Sequence, residues 1–336
     1  MRGDSASTAA AGALPRGLGS VLAGGQAWIR RLFVEPERPT VAVEVRRRAV
    51  GLVRLVREGR RYALGTAAAL ELPPGTVELS MTQPNVADPA ALRNALRSVL
   101  QRAGFAGGGR VCLVLPDPVA RIALVPAAEV KGKGRADVEE MIRFRLRKAV
   151  PFDVRDARVG FVRLGSRSED PLLVAAVYRP VLLGYEEVCV SLGLQPGIVE
   201  LSGLSVLAAA TAGGNGSGDR LVVNWDDGYV SLFLLRGEQL ALVRTLTGET
   251  ATSPEQVARE LTNTDIYYRE RLGGEGLAEV VVRSALLPAA EASALVGEAL
   301  GVPARPLDAW GGLSGEYGPV AHALAGAAAA AARRAA

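Results

Sequence analysis

The chain has 336 residues, 49% of them hydrophobic and 22% charged, with a formal net charge of +4. It is apolar enough to build the cores of about two ordinary domains and too apolar for a disordered chain. Its arginine-rich patches lack interleaved aromatics to stack on bases, which excludes nucleic acid as a partner, and its one histidine, His322, excludes Ser-His-Asp and Cys-His nucleophile systems and histidine metal sites.

In chain order, residues 1–38 read as a flexible N-terminal segment, because Met1–Gly25 is rich in Ala, Gly and Ser. Within it, Ala27–Phe33 (AWIRRLF) has the pattern of one basic amphipathic turn. Such a turn can touch an anionic membrane or pack back onto the protein, and packing is favoured because one short turn gives only marginal membrane affinity. From Thr40, TVAVEV, AVGLVRLVRE and YALGTAAALEL alternate as a three-stranded antiparallel meander. Pro89–Gly104 reads as a helix with Leu92, Leu96, Val99 and Leu100 at helical spacing, and Val111–Leu115 as a strand.

Ala136–Leu164 then carries an amphipathic helix followed by a strand. Asp137 and Glu140 have the spacing of a capping box. Val138, Met141, Ile142, Leu146 and Ala149 fall on one face, with Glu139, Glu140, Arg143 and Arg147 on the other. Glu139 and Arg143 form a favourable i,i+4 pair. Pro151 disfavours helical geometry at Val150 and ends the helix there.

Leu172 opens another strand, followed by a helix (Val181–Leu192), a strand around Ile198–Glu200 and a helix (Ser202–Ala212). Gly213–Gly218 is the clearest linker-like break. A second meander follows (LVVNW, YVSLFLLRGEQL, ALVRTLTG), then helix Pro254–Leu272, strand Ala278–Val282, helix Ala289–Leu300, a short edge at Ala304–Pro306 and an Ala-rich terminal helix, Val320–Ala335. Cys112 and Cys189 lie in apolar contexts and read as buried free thiols of a reducing compartment. No apolar run reaches the ~18 residues of a spanning helix. The expectation is a cytoplasmic protein.

The succession of VCLVLPD, RIALVP, the helix closing in PFD, LLVAA and GLQPGIVE resembles the PilM family. These are actin-like, FtsA-related cytoplasmic proteins of type IV pilus assembly. The resemblance runs in order from about Pro39 to Ala330. It implies an α/β, actin-like ATPase fold with two duplicated halves, and the repeat of a meander followed by alternating helices and strands agrees with it. Residues 39–118 and 166–212 would form the first half, 119–165 the small inserted subdomain and 219–336 the second half.

In that superfamily, nucleotide sits between the halves, held by hairpin turns of Gly, Ser or Thr that let backbone N–H groups approach phosphate. Here the first turn reads Glu44-Val45-Arg46-Arg47-Arg48, and its arginines read as solvated. The second reads Asn224-Trp225-Asp226-Asp227-Gly228, with Asn224 at the metal-side position and Asp226-Asp227-Gly228 a plain β-turn. Where a Gly-Gly pair would admit adenine, the chain has Arg283-Ser284-Ala285. Glu44, Arg46, Arg47, Asn224, Asp226, Gly228 and Arg283 therefore mark a degenerate nucleotide site. The expectation is a pseudo-ATPase with no catalytic residue, no metal and no cofactor. The alternative is an active actin-like protein that binds Mg-ATP.

The resemblance also implies a partner. PilM-type proteins are scaffolds under the inner membrane that capture the cytoplasmic N-terminal peptide of a PilN-like membrane protein, in a groove between the first large subdomain and the inserted one. On this chain Arg121, Val125, Met141, Phe144, Arg145, Pro151 and Phe152 are the candidate groove residues. Phe144 stands off the apolar stripe, where an exposed aromatic suits an interface. Other pilus-platform proteins are further possible partners. Membrane association would be indirect or through Ala27–Phe33. The cytoplasmic part of a GspL-type secretion protein is a second reading, since it shares the fold.

Overall fold

The computed structural model describes residues 38–332 apart from 59–60, 107, 127–129, 131, 166–169, 213–217, 249–250, 252 and 309–322. The expectations for the N-terminal segment, for residues 27–33, for most of the glycine linker and for His322 lie outside the described residues.

The first sheet has the order β3-β2-β1-β4-β8, formed by β1 (Val41–Val45), β2 (Ala49–Glu58), β3 (Arg61–Glu71), β4 (Gly109–Leu115) and β8 (Leu194–Leu201). The second repeats it as β11-β10-β9-β12-β13, with β9 (Asp219–Asp226), β10 (Tyr229–Arg236), β11 (Gln239–Thr247), β12 (Leu277–Ser284) and β13 (Ala304–Pro306). In each, the first strand pairs antiparallel with the second and parallel with the fourth. The duplication read from the two meanders is thus a duplication of topology.

Central β1 is buried along its whole length. Its alternation puts Val41, Val43 and Val45 into the core under helix α1 (Pro89–Arg102) and Ala42 into a second core on the opposite face. Asp88 caps α1 by accepting from the Ala91 N–H at 2.9 Å, and Pro89 opens its first turn. That second core is closed by the terminal helix α7 (Ala325–Ala332). The expected second half therefore gives up its last helix to the first sheet. The reason is steric: alanine lets the helix axis come close to the sheet, and Leu324 lies over Gly51, where any side chain would collide.

A third sheet, β5-β7-β6, is built from β5 (Ala120–Val125), β6 (Ala157–Arg163) and β7 (Leu172–Tyr178), all antiparallel. The expected boundary at residue 165 falls inside it. Because β7 pairs with both β5 and β6, the small subdomain extends to Tyr178. Leu172, Val174 and Ala176 of β7 face helix α2 (Arg135–Leu146), whose Val138, Ile142 and Leu146 complete a separate core. The expected capping box does not form: Gly134 is the N-cap, without a side-chain bond, so Asp137 already lies inside the first turn. The helix also stops at Leu146, leaving Ala149 exposed in a following turn. Glu139 and Arg143 do pair, at 2.8 Å, and Arg143 also donates to the carbonyls of Val154 and Ala157.

Between the small sheet and the first half, α3 (Arg179–Val190) leads into β8, and α4 (Ser202–Thr211) follows it. In the second half, α5 (Pro254–Arg271) and α6 (Ala289–Leu300) pack on the sheet around Trp225, Leu232 and Val282.

Candidate functional site

β1 and β9 hold the same place in the two sheets, and their C-terminal ends meet at the junction of the halves. Arg283, at the end of β12, is wholly buried there. Its Nη1 donates to Asn224 Oδ1 at 3.0 Å and to Asp226 Oδ2 at 2.8 Å. Its Nη2 donates to Glu44 Oε1 at 3.0 Å and to the carbonyl of Ala323, just before α7. One guanidinium thus binds both sheets and the terminal helix.

The acceptors are themselves fully engaged. Glu44 also accepts from Ser202 Oγ at 3.0 Å and from the Ala327 N–H at 3.1 Å. Asp117, between β4 and β5, accepts from the Gly203 N–H at 2.7 Å and from Asn224 Nδ2 at 3.1 Å. Burial works against the charge of Arg283, but the Glu44 and Asp226 carboxylates outweigh it and hold its pKa above the usual value. Burial raises the pKa of Asp117, against the hydrogen bonds that favour its anion. Tyr229 is pushed well above the ordinary phenol value by burial and by the carboxylates of Asp117 and Asp226.

The two hairpin turns face each other across this junction. Arg46 lies 4.0 Å from Asp226, while Asp227 lies 3.7 Å from Arg47 and 3.4 Å from Arg48. Asp227-Gly228 is the expected tight turn, with Gly228 at φ +84°. The arginines differ in part from expectation: Arg46 is buried, whereas Arg47 is partly and Arg48 largely exposed, and each has an aspartate within 4.0 Å. The seven residues read from the sequence as a degenerate site therefore converge. Five form the buried network, and Arg47 packs against Gly228 at the turn. Asp117, Ser202 and Gly326 belong to the same network and were not read from the sequence. Asp117 in the LPDP turn carried the one available signal, a carboxylate ending a buried strand.

The seven candidate groove residues do not converge. Phe144 is 70% exposed on α2, with Arg145 exposed beside it and Met141 half-buried. Val125 is in the core beneath α2, Phe152 stacks on Tyr178 at 5.0 Å, and Pro151 is exposed. Arg121 lies on the far edge strand, β5. A groove of about 690 Å³ does run between the small sheet and the first half, but on the face of the small sheet away from α2. Leu173, Ala175 and Val177 of β7 form its floor, with Leu204 and Leu207 of α4 opposite. Arg158, Gly160 and Val162 of β6 face it, and Arg38, Glu186 and Glu200 supply charge.

Every residue of β6 from Arg158 to Val162 touches this groove. Successive strand residues point to opposite faces, so a space that meets them all runs along the strand's free edge. β6 is an edge strand, and so is β8, which contributes Pro196, Gly197 and Val199. A Cβ added at Gly160 would meet nothing within 4 Å.

Two duplicated sheets of this order, joined at their central strand ends and carrying an inserted small sheet, define an actin-like ATPase fold. Among solved structures, the chain is similar to the PilM-PilN type IV pilus biogenesis complex, with a TM-score of 0.70 at 22% identity over 89% of this chain and 100% of that one. In fold the chain is PilM-like. Weaker likenesses include an actin-like protein of unknown function from Bacteroides thetaiotaomicron (TM-score 0.49, 8% identity, 79% and 89% of the two chains). Another is the cytoplasmic domain of EpsL, an inner membrane component of the type II secretion system of Vibrio cholerae (TM-score 0.43, 12% identity, 74% and 82%). No family model and no curated protein matches the chain.

Proposed function

We propose that this protein is a cytoplasmic scaffold of an inner-membrane assembly platform, of a type IV pilus or a related secretion machine. It captures the N-terminal cytoplasmic peptide of a PilN-like membrane protein and has given up nucleotide turnover. The observation that carries this reading is the groove along β6. It has an apolar floor, charged ends and two strand edges with free backbone groups, which suit an extended peptide. The likeness to the PilM-PilN complex supports the choice of partner.

The junction of the halves supports the loss of nucleotide chemistry. A metal-nucleotide complex needs free carboxylates and small turn residues, whereas Glu44 and Asp226 are taken up by Arg283 and the turns carry Arg and Asp. That donor set does not suit Mg-ATP.

The test uses a fluorescent peptide of the cytoplasmic N-terminus of the PilN-like protein from the same genome. The full chain binds it, and Gly160→Leu, which fills the groove from open space, abolishes binding. Absence of binding to the wild-type chain overturns the scaffold reading. Micromolar binding of Mg-ATP by calorimetry overturns the loss of nucleotide chemistry.

A further inference from the structure

Phe144 is 70% exposed on α2, the most exposed large hydrophobic side chain among the described residues, and the groove on the far side of the small sheet makes no use of it. We propose that this face of α2 binds the same face of a second copy of the chain, the two helices running antiparallel about a two-fold axis at Phe144. Glu140, Phe144 and Lys148 are exposed at four-residue steps, so they form one stripe pointing away from buried Val138, Ile142 and Leu146. Lys148 lies just past the helix, but the chain keeps its helical sense there. Arg147 is αR, and the Val150 N–H bonds to the Leu146 carbonyl at 3.1 Å.

Charge selects the partner. On a helix an acid is satisfied by a base four residues on, as Glu139 is by Arg143 at 2.8 Å. Glu140 has Phe144 at that position, and the side chains of Glu140 and Lys148 have no ion pair or hydrogen bond among the described residues. Eight residues apart, the two charges are separated by about 12 Å of helix and cannot meet within one chain. A second α2 laid antiparallel about Phe144 brings Lys148 of each copy opposite Glu140 of the other and sets the two Phe144 rings together at the axis. That is an isologous, self-complementary patch. An aromatic pair flanked by polar pairs is also the make-up of an interface hot spot. An anionic lipid surface fits less well, because Asp137 and Glu140 are exposed on the same side of α2 and would be repelled. With 12 residues the helix is about 18 Å long, so the contact is small and the dimer is weak and concentration-dependent.

The experiment is sedimentation equilibrium of the full chain over a concentration series, with the melting transition of each variant as the check on folding. Wild-type protein shifts from monomer to dimer as its concentration rises. Phe144→Ala weakens the dimer about tenfold or more with an unchanged melting transition. Glu140→Lys and Lys148→Glu each weaken it alone, because like charges then face each other across the axis. An equimolar mixture of these two variants associates again as a heterodimer, since one copy then offers two lysines to the two glutamates of the other. Wild-type protein that stays monomeric overturns the proposal, as does a dimer unaffected by Phe144→Ala or a mixture no more associated than its components. Binding of monomeric protein to phosphatidylglycerol vesicles that Phe144→Ala abolishes assigns the face to lipid and likewise overturns it.

Discussion

Arg283 Nη2 lies 3.0 Å from Glu44 Oε1, and the two residues are 239 positions apart, on different sheets. Neither side chain has any exposed surface. Taking two charges out of water is expensive, and the pair is sustained because every neighbouring acceptor also binds. Removing one partner strands the other. Arg283→Met keeps the bulk and loses the charge, leaving Glu44 and Asp226 buried without a cation. The expected cost is about 3–5 kcal/mol in urea unfolding. Adding Glu44→Gln to Arg283→Met recovers part of the loss, because one stranded charge is then gone. A double variant as destabilised as the two single losses summed refutes the coupling.

Asp117 gives the junction a pH dependence of a defined sign. Burial raises its native pKa above the ordinary carboxylate value. As pH rises through the window between the two values, the unfolded chain releases the proton while the native state keeps it. Native protein then binds more protons than unfolded, so stability falls across that window and levels off above it. Asp117→Asn lacks this contribution. Its overall stability is lower, since the new amide faces the Asn224 amide, but the difference between variant and wild type narrows as pH rises. Urea unfolding from pH 4 to 8 measures this, and a constant difference contradicts it.

The sheets were legible because their chemistry is local: β1, β2, β9 and β10 are short apolar runs closed by turns, and Asp227-Gly228 announces its own turn. What was not legible depended on distance. β7 reads as a strand but carries no mark of whether it joins the large sheet or the small one. The terminal alanines carry no mark of which half they cover. The junction residues could be picked out because departures from Gly, Ser and Thr in the two turns are visible one residue at a time. That Arg283 reaches Glu44 and Asp226 together appears only once both halves are folded. The groove along β6 depends on distance in the same way. α2 is the conspicuous amphipathic element, yet amphipathicity marks the face a helix buries, and the open edge that lines the groove is the plain strand β6.

Gly326 is the point where the terminal helix meets the network. A Cβ there would lie 2.8 Å from Ser202 Oγ and 3.0 Å from Glu44 Oε1. Both atoms are fixed by hydrogen bonds, so neither yields cheaply. Gly326→Ala therefore destabilises the protein by about 1–3 kcal/mol by overpacking, despite alanine's higher helix propensity. Chemical denaturation of the variant checks this. A stabilised variant shows that the helix start can move away from the junction.

The two faces of the small sheet make opposite predictions for partner capture. On the groove face, Gly160 faces open space, and a leucine there occupies the path along β6 without disturbing the core. On the other face, Phe144 and Met141 are the apolar side chains of α2 that the core does not fully use. If the peptide adds along β6, Gly160→Leu abolishes binding, and Met141→Ala with Phe144→Ala changes affinity less than twofold. If α2 is the docking surface, the pattern reverses. Buried Cys189, its thiol pushed up to about 12 by burial, serves as a folding control in both variants, since it resists thiol reagents at pH 8 only while the native packing around α3 holds. Anisotropy of the labelled peptide, read beside thiol protection, separates a blocked groove from an unfolded one.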